Sequence, residues 1–118
     1  MRDHKKPRAF VLADEVALFV YRITKSFPKE ERYGLTAQMR RAAASTASNI
    51  VEGSSRESEA EYIRFLEIAF GFLRELHYQL GLSIRLEYTS PENASTAEQK
   101  LSEAERVLAA LLRSLRQR

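Results

Sequence analysis

At 118 residues and 44% hydrophobic content, the chain is long enough for one domain with a hydrophobic core and too short for two. It contains no cysteine, which excludes disulfides, thiolate metal sites and cysteine nucleophiles and fits a reducing compartment. The net charge of +3 is compatible with nucleic acid, but the chain lacks the dense stripe of Lys and Arg that would indicate it.

Residues 1–8 are predicted to form a flexible basic arm in front of a single domain, residues 9–118. The arm holds Arg2, Lys5, Lys6 and Arg8 against Asp3, a net charge of +3 that equals the excess of the whole chain. Two interpretations stay open, a solvated terminus and an arm that contacts phosphates. No apolar run approaches the roughly 18 residues needed to cross a membrane, so we expect a cytoplasmic protein with no membrane partner.

Two helices are predicted in the first half of the domain. Apolar residues follow helical spacing from Ala9 to about Ser26, where Pro28 ends the first helix. A second helix is predicted up to Gly53, which is expected to close it in the left-handed conformation. Its apolar stripe consists of Leu35, Met39, Ala42, Ala43, Thr46 and Ile50. Because most of these residues are small, a neighbouring helix should approach closely.

Two longer helices are predicted in the second half. Ser58 and Glu61 form a capping-box pattern, and the third helix should run from there to about Glu87. The fourth should begin at Ser90, with an alternative start at Ser95. The two apolar seams are Tyr62, Leu66, Ala69, Leu73, Leu76 and Leu80, and Ala97, Leu101, Ala104, Leu108, Leu111 and Leu115. With short connections and no strand pattern, the predicted fold class is all-α, an antiparallel up-down-up-down four-helix bundle.

The third helix carries apolar residues beyond its seam. They are Ile63, Phe65, Phe70, Phe72 and Ile84. A helix of a four-helix monomer has one side in water, so apolar residues on that side indicate burial against another chain. We therefore expect a homo-oligomer with Ile63, Phe70 and Phe72 in the interface.

Catalytic chemistry is not predicted. Bundles that hold two metals use Glu-x-x-His pairs, but the residue three positions before His77 is Arg74, and His4 lies in the arm. The serines have no histidine close in sequence, and the four glycines form no phosphate-binding loop. We expect no enzyme activity, no cofactor, no metal and no small-molecule substrate. Hydrolase or metal chemistry is the third hypothesis and would require a bound metal or clustered acids in a pocket.

A polar set remains that core packing does not require. It consists of Arg40, Arg41, Ser48, Asn49, Glu52 and Arg64. One interpretation is structural: Asn49 and Glu52 pair with arginines and fix the second helix against the third or against a neighbouring subunit. The other is functional, with the arginines contacting phosphates of RNA or DNA.

The stretch from residue 27 to residue 80 closely resembles a known family. In this chain it reads FPKEERYGLTAQMRRAAASTASNIVEGSSRESEAEYIRFLEIAFGFLRELHYQL, which resembles the signature of the bacterial S23 four-helix bundle proteins encoded within intervening sequences of 23S ribosomal RNA genes. The chain departs from the family pattern at Thr46-Ala47, where Ile-Pro is frequent, and at Phe72, where Ser is usual. More distantly it is similar to the accessory variability determinant of diversity-generating retroelements, a pentamer that works with a reverse transcriptase and nucleic acid.

The resemblance implies a bundle that assembles as a ring of five subunits, and it places the polar set together with Gly53 at the family's characteristic positions. The first functional hypothesis is accordingly a non-enzymatic homopentameric scaffold. The alternative is a nucleic-acid-binding accessory protein that acts through basic surfaces of the assembled ring, where several copies provide avidity that one subunit lacks.

Overall fold

The structure, a computed structural model, describes residues 8–118. Within that range the chain forms four α-helices and no strand: α1 Arg8–Ile23, α2 Leu35–Ser54, α3 Glu59–Arg85 and α4 Pro91–Arg116. Two short 3-10 turns, Thr24–Ser26 and Lys29–Glu31, connect α1 to α2. The predicted all-α class is confirmed. None of the described helices is both long and apolar enough to cross a membrane.

The helices pack as a closed square. α1 lies against α2 and α4, and α3 lies against α2 and α4, with the most extensive contact between α2 and α3. The described residues measure 45 × 24 × 19 Å, and the long dimension fits the roughly 40 Å expected of a helix as long as α3. Short connections between successive neighbours give the up-down-up-down topology, so the predicted bundle is confirmed.

Two serine caps fix the starts of the long helices. The Oγ of Ser58 accepts a hydrogen bond from the backbone N–H of Glu61 at 3.1 Å, and the Oγ of Ser90 accepts one from the N–H of Asn93 at 3.1 Å. Pro91 follows Ser90 as the first helical residue, where its missing N–H costs nothing. The alternative start of α4 at Ser95 is therefore wrong.

The prediction that Gly53 closes α2 in the left-handed conformation is wrong. No glycine of the described residues has a positive φ, and α2 continues through Gly53 to Ser54. The glycine instead permits close packing, because a Cβ at this position would lie 2.8 Å from the Cβ of Phe65 on α3. Gly53 lies one turn beyond Ile50, the last residue of the predicted stripe, and α3 approaches α2 closely at this point.

The left-handed residue lies at the end of α3 and is not a glycine. Glu87 has a φ of 63°, and its N–H donates to the carbonyl of Ile84 while the N–H of Tyr88 donates to the carbonyl of Ser83, both at 2.9 Å. This pair of bonds is the Schellman motif, which satisfies the last carbonyls of a helix.

The core follows the predicted seams closely. Every residue of the α3 seam is buried. On α4 the seam is confirmed except at one step, where Leu112 is buried at 4% exposure and Leu111 is only half-buried at the edge of the core. Leu112 is the residue that turns toward α3, where it lies beside Phe70. Arg8, assigned to the basic arm, is the first residue of α1 and pairs with Glu103 of α4. Residues 1–7 of the predicted arm lie outside the described residues.

Candidate interaction surfaces

The small polar residues of α2 bond mainly within their own helix. The side-chain amide of Asn49 donates to the carbonyl of Ser45 at 2.7 Å, and the hydroxyl of Ser48 donates to the same carbonyl at 3.4 Å. Glu52 forms an ion pair with Arg56, one turn later. Glu52 pairs with an arginine, but Arg56 is a near neighbour in sequence and not a residue of α3, and the Asn49 amide bonds to backbone. The part of these residues in fixing α2 against α3 or a neighbouring subunit stays a prediction.

Arg41 joins α2 to α3. Its Nη2 donates to a carboxylate oxygen of Glu75 at 3.2 Å and to the side chain of Gln38 at 2.9 Å. The guanidinium also lies over the ring of Phe72, 5.4 Å from its centroid. Both partner side chains are near the surface, so the ion pair itself contributes little, and the main effect is that Arg41 covers Phe72.

Arg40 faces the opposite flank of α2 and binds to α1. Its Nε donates to the hydroxyl of Thr24 at 2.8 Å and its Nη2 to the carbonyl of Tyr21 at 3.3 Å. Its guanidinium lies 4.9 Å from the centroid of the Tyr21 ring. Adjacent residues of a helix lie 100° apart, which is why two neighbouring arginines reach two different helices. The predicted polar set is therefore split between two sides of α2.

Arg64 lies near the far end of the α2–α3 contact. It is exposed, 3.9 Å from Glu61, and its guanidinium lies over the ring of Phe65. Arg56 lies over the same ring at 5.3 Å. Arg64 therefore belongs with Arg56 and Glu52 in one cluster, about three turns from Arg41 along α2.

The predicted interface residues do not form one patch. Ile63, Phe70 and Phe72 are all half-buried, so a single subunit neither encloses them nor leaves them fully in water. Phe72 lies beneath Arg41 on the α2 side, whereas Phe70 is on the α4 side of α3. Ile63 lies seven residues before Phe70 and shares its face. Their role in an oligomer interface stays a prediction.

Phe70 lies in an open groove of about 540 Å³ between α3 and α4. This α3–α4 groove is lined by Phe70, Arg74, Ser102, Glu105, Arg106, Ala109 and Arg113. Within residues 8–118 neither Arg106 nor Arg113 forms an ion pair. The groove thus combines the apolar side chains of Phe70 and Ala109 with three arginines and one glutamate.

His77 lies between the same two helices. Its Nδ1 is 2.9 Å from a carboxylate oxygen of Glu105, and its Nε2 is 3.6 Å from one of Glu98. His77 is half-buried there. Among the residues that the structure describes, no group of three or more His, Cys, Asp and Glu side chains is arranged to hold a metal ion.

Sequence reasoning missed an exposed apolar line on α1. Val11 is 40% exposed and Leu18 is 50% exposed, and their spacing of seven places them on the same outer face. The line consists of these two residues; Tyr21, 43% exposed, lies one turn beyond Leu18, where Arg40 packs on its ring. Val11 and Leu18 lie off the α1 seam, and their spacing of seven was the signal that could have found them.

A second missed surface is the end of the α1–α2 hairpin, residues 21–41, called the hairpin end below. It holds two acidic and six basic residues, which are Arg22, Lys25, Lys29, Arg32, Arg40 and Arg41. Its net charge of +4 exceeds the +3 of the whole chain. It also carries Tyr33, the most exposed of the large hydrophobic side chains at 85%. A charge count along the chain would have revealed it.

Glu31, an acid of the hairpin end, joins the α1–α2 connection to the α3–α4 connection. Glu31 accepts hydrogen bonds from the backbone N–H of Leu35 at 2.8 Å and from the hydroxyl of Tyr88 at 2.9 Å. The Leu35 bond is the main reason that the pKa of Glu31 lies below its ordinary value, and the Tyr88 bond adds to it. The hydrogen bond between Tyr88 and Glu31 also raises the pKa of Tyr88. The ring of Tyr88 also packs on Phe27, with centroids 5.4 Å apart.

Comparisons with known proteins agree with this architecture. A family model described as 23S rRNA-intervening sequence protein matches residues 5–110. A crystal structure of a protein with unknown function from the S23 ribosomal protein family of Bacteroides thetaiotaomicron is similar, with a TM-score of 0.78 and 24% sequence identity. The similarity covers 88% of this chain and 97% of that chain. At this identity it shows the fold alone. No curated protein matches the chain.

Proposed function

This chain belongs to the 23S rRNA-intervening sequence protein family, and on that premise we propose that it is a non-catalytic subunit of a homo-oligomer whose assembled surface serves as a scaffold. The observation that carries the proposal is the exposed line formed by Val11 and Leu18 on α1. Single exposed aliphatic residues are ordinary on protein surfaces, but two on one helix face, with Asp14 and Glu15 between them, place apolar area in water that a second chain can cover.

The α3–α4 groove provides a second surface, in which the apolar side chains of Phe70 and Ala109 lie among polar and charged ones. The line and the groove are different surfaces on different helices. A ring requires such a pair, because a heterologous contact joins unlike surfaces of successive copies and closes when the rotation permits. The number five follows from the family resemblance.

Light scattering at micromolar concentration tests this proposal. We expect a mass several times the 13.6 kDa of one chain, and five times that mass for the ring. A monomer under these conditions would contradict the proposal, whatever the helical content.

Two variants locate the interface. Leu18→Asp and Phe70→Asp each place a charge in an apolar contact and should reduce the measured mass while circular dichroism retains the helical signal. Ala44→Asp is the matched control, because Ala44 is exposed on α2 outside both surfaces. If Phe70→Asp abolishes helicity, Phe70 belongs to the subunit core. The test of the interface then rests on Leu18→Asp alone, because half of the Leu18 side chain is already in water and a charge there does not disturb the subunit core.

A second candidate function is nucleic-acid binding by the assembled protein. The observation that favours it is the net charge of the hairpin end, +4 within residues 21–41. Binding through phosphates releases counterions, so the affinity should fall steeply as salt rises. Gel shifts with RNA and DNA across a salt series are the measurement, and the absence of any complex at low salt would exclude this candidate.

A further inference from the structure

We propose that the hairpin end binds single-stranded nucleic acid, with the rings of Tyr33 and Tyr21 stacking on bases and the surrounding cations contacting phosphates. This inference rests on the second candidate function and names its site and the form of nucleic acid. It is carried by a juxtaposition of exposed aromatic rings and unpaired positive charge.

The aromatic part is Tyr33 and Tyr21. Tyr33 is 85% exposed, so its ring contributes little to the core and remains available. The guanidinium of Arg32 lies 5.5 Å from the centroid of the Tyr33 ring, and that of Arg40 lies 4.9 Å from the Tyr21 ring. Tyrosine rings and guanidinium planes are the groups on which unpaired bases stack, with little dependence on sequence.

Arg40 is fixed before any ligand arrives. Its bonds to the Thr24 hydroxyl and the Tyr21 carbonyl hold the guanidinium against the Tyr21 ring. Fixing the side chain in the free protein lowers the entropy that binding would otherwise cost. Tyr21 and Arg40 therefore form a preformed pair in the same hairpin end as the more exposed Tyr33 and Arg32.

The positive charge of the hairpin end is carried by side chains that the fold leaves accessible. Lys25, Lys29 and Arg32 are exposed, and within the described residues none of them forms an ion pair. The N-terminus of α2 is not the anion site, because the Glu31 carboxylate already accepts from the Leu35 N–H. Phosphates would therefore be held by cationic side chains along the hairpin.

The aromatic character favours single strands over a duplex or a membrane. In a duplex the base faces are stacked on each other, so tyrosine rings could not reach them and only the charges would act. A membrane surface would require apolar side chains to insert. Phe27 is buried in the core, and Ile23 and Leu35 are half-buried against it. The hairpin end thus offers rings for stacking and few apolar side chains for insertion.

Fluorescence anisotropy on the full-length protein tests the inference with three probes. They are a labelled single-stranded oligonucleotide of 20 thymidines, a duplex of the same length, and vesicles that contain an anionic phospholipid. We expect the single strand to bind more tightly than the duplex at equal salt. Tyr33→Leu should weaken single-strand binding about tenfold, the scale of one lost base stack.

The matched control is Tyr78→Leu. Tyr78 is 63% exposed and has Arg85 over its ring at 5.7 Å, but it lies on α3 outside the hairpin end. This variant should bind as the parent does. Lys25→Gln and Lys29→Gln measure the charge separately and should reduce the slope of affinity against salt. Circular dichroism confirms that each variant is folded.

The outcomes separate the inference from the function on which it rests. If the charge variants weaken binding while Tyr33→Leu does not, stacking is wrong and nucleic-acid binding stands. Equal binding of duplex and single strand has the same meaning. If neither nucleic acid binds at low salt, both proposals fail. Binding to anionic vesicles alone would overturn the inference in favour of a membrane surface.

Discussion

A single methyl group added at Gly53 tests the packing of α2 against α3. The Cβ of an alanine there would lie 2.8 Å from the Cβ of Phe65 and 3.3 Å from a ring carbon of Tyr62. Carbon atoms pack best at about 3.5–4.0 Å. The Cβ of Phe65 is attached directly to the α3 backbone, so no side-chain rotation relieves the contact and the helices themselves must separate.

Two effects of opposite sign set the magnitude. Alanine is more favourable than glycine inside a helix by about 1 kcal/mol. Overpacking of a tight contact costs about 1–3 kcal/mol. We therefore expect Gly53→Ala to lower the free energy of unfolding by about 0–2 kcal/mol. Gly71 is the matched control, because it lies within α3, is exposed, and its added Cβ would have no neighbour within 4 Å. Gly71→Ala should raise the free energy of unfolding by about 1 kcal/mol.

Urea unfolding followed by circular dichroism measures both variants, and equal protein concentrations keep any contribution from assembly constant. The two alanine variants should differ by about 1–3 kcal/mol. If Gly53→Ala stabilises the protein as much as Gly71→Ala does, α2 and α3 do not approach each other closely at this point, and the reasoning is refuted.

Three further predictions concern individual residues. Glu87→Gly should raise the free energy of unfolding by about 1 kcal/mol, because the left-handed conformation strains every residue with a Cβ, and a destabilised variant would contradict the Schellman assignment. Leu112→Ala should lower the free energy of unfolding by about 2–5 kcal/mol, the usual cost at a buried leucine, and Leu111→Ala should lower it less. If urea unfolding gives the reverse order, Leu111 and not Leu112 belongs to the core, as the sequence predicted. The pKa of Glu31 is lowered in the folded state, so its contribution to stability is present above the ordinary carboxyl pKa and is lost as the pH falls through the lowered value. Glu31→Gln should therefore lose less stability than the parent across that acidic window in a pH series of unfolding curves, and identical pH profiles would show that the Glu31 carboxylate accepts neither the Leu35 nor the Tyr88 hydrogen bond.

The fold was largely predictable because the information is local. A helical seam needs only the periodicity of apolar residues, and a cap needs only a serine with an amide three residues on, as at Ser58 and Ser90. The predictions failed where contact with a neighbouring helix determines the role of a residue. Gly53 resembles a helix terminator in sequence, and only its distance to Phe65 shows that it serves close packing. Glu87 gives no sequence signal for the left-handed conformation.

The candidate surfaces were less predictable for the same reason. Helical spacing placed Ser48, Asn49 and Glu52 on one face, but it could not say that Asn49 would bond to its own backbone. Nor could it say which helix each of the adjacent arginines, Arg40 and Arg41, would reach. Charge along the sequence was informative without any structure, yet the net charge of the whole chain concealed the hairpin end, because residues 9–20 and 42–118 carry a net negative charge that offsets it.

The proposed ring and the proposed nucleic-acid site support each other geometrically. If copies join through the α1 line and the α3–α4 groove, cyclic symmetry relates the hairpin ends of all copies to one another around the ring. A long single strand can then contact several hairpin ends, and each further contact is intramolecular, so the overall affinity rises without any new interaction at a single site. A weakly basic subunit could therefore hold nucleic acid firmly only as an assembly. It follows that Leu18→Asp, by separating the copies, should reduce binding of a long strand far more than binding of one that spans a single hairpin end.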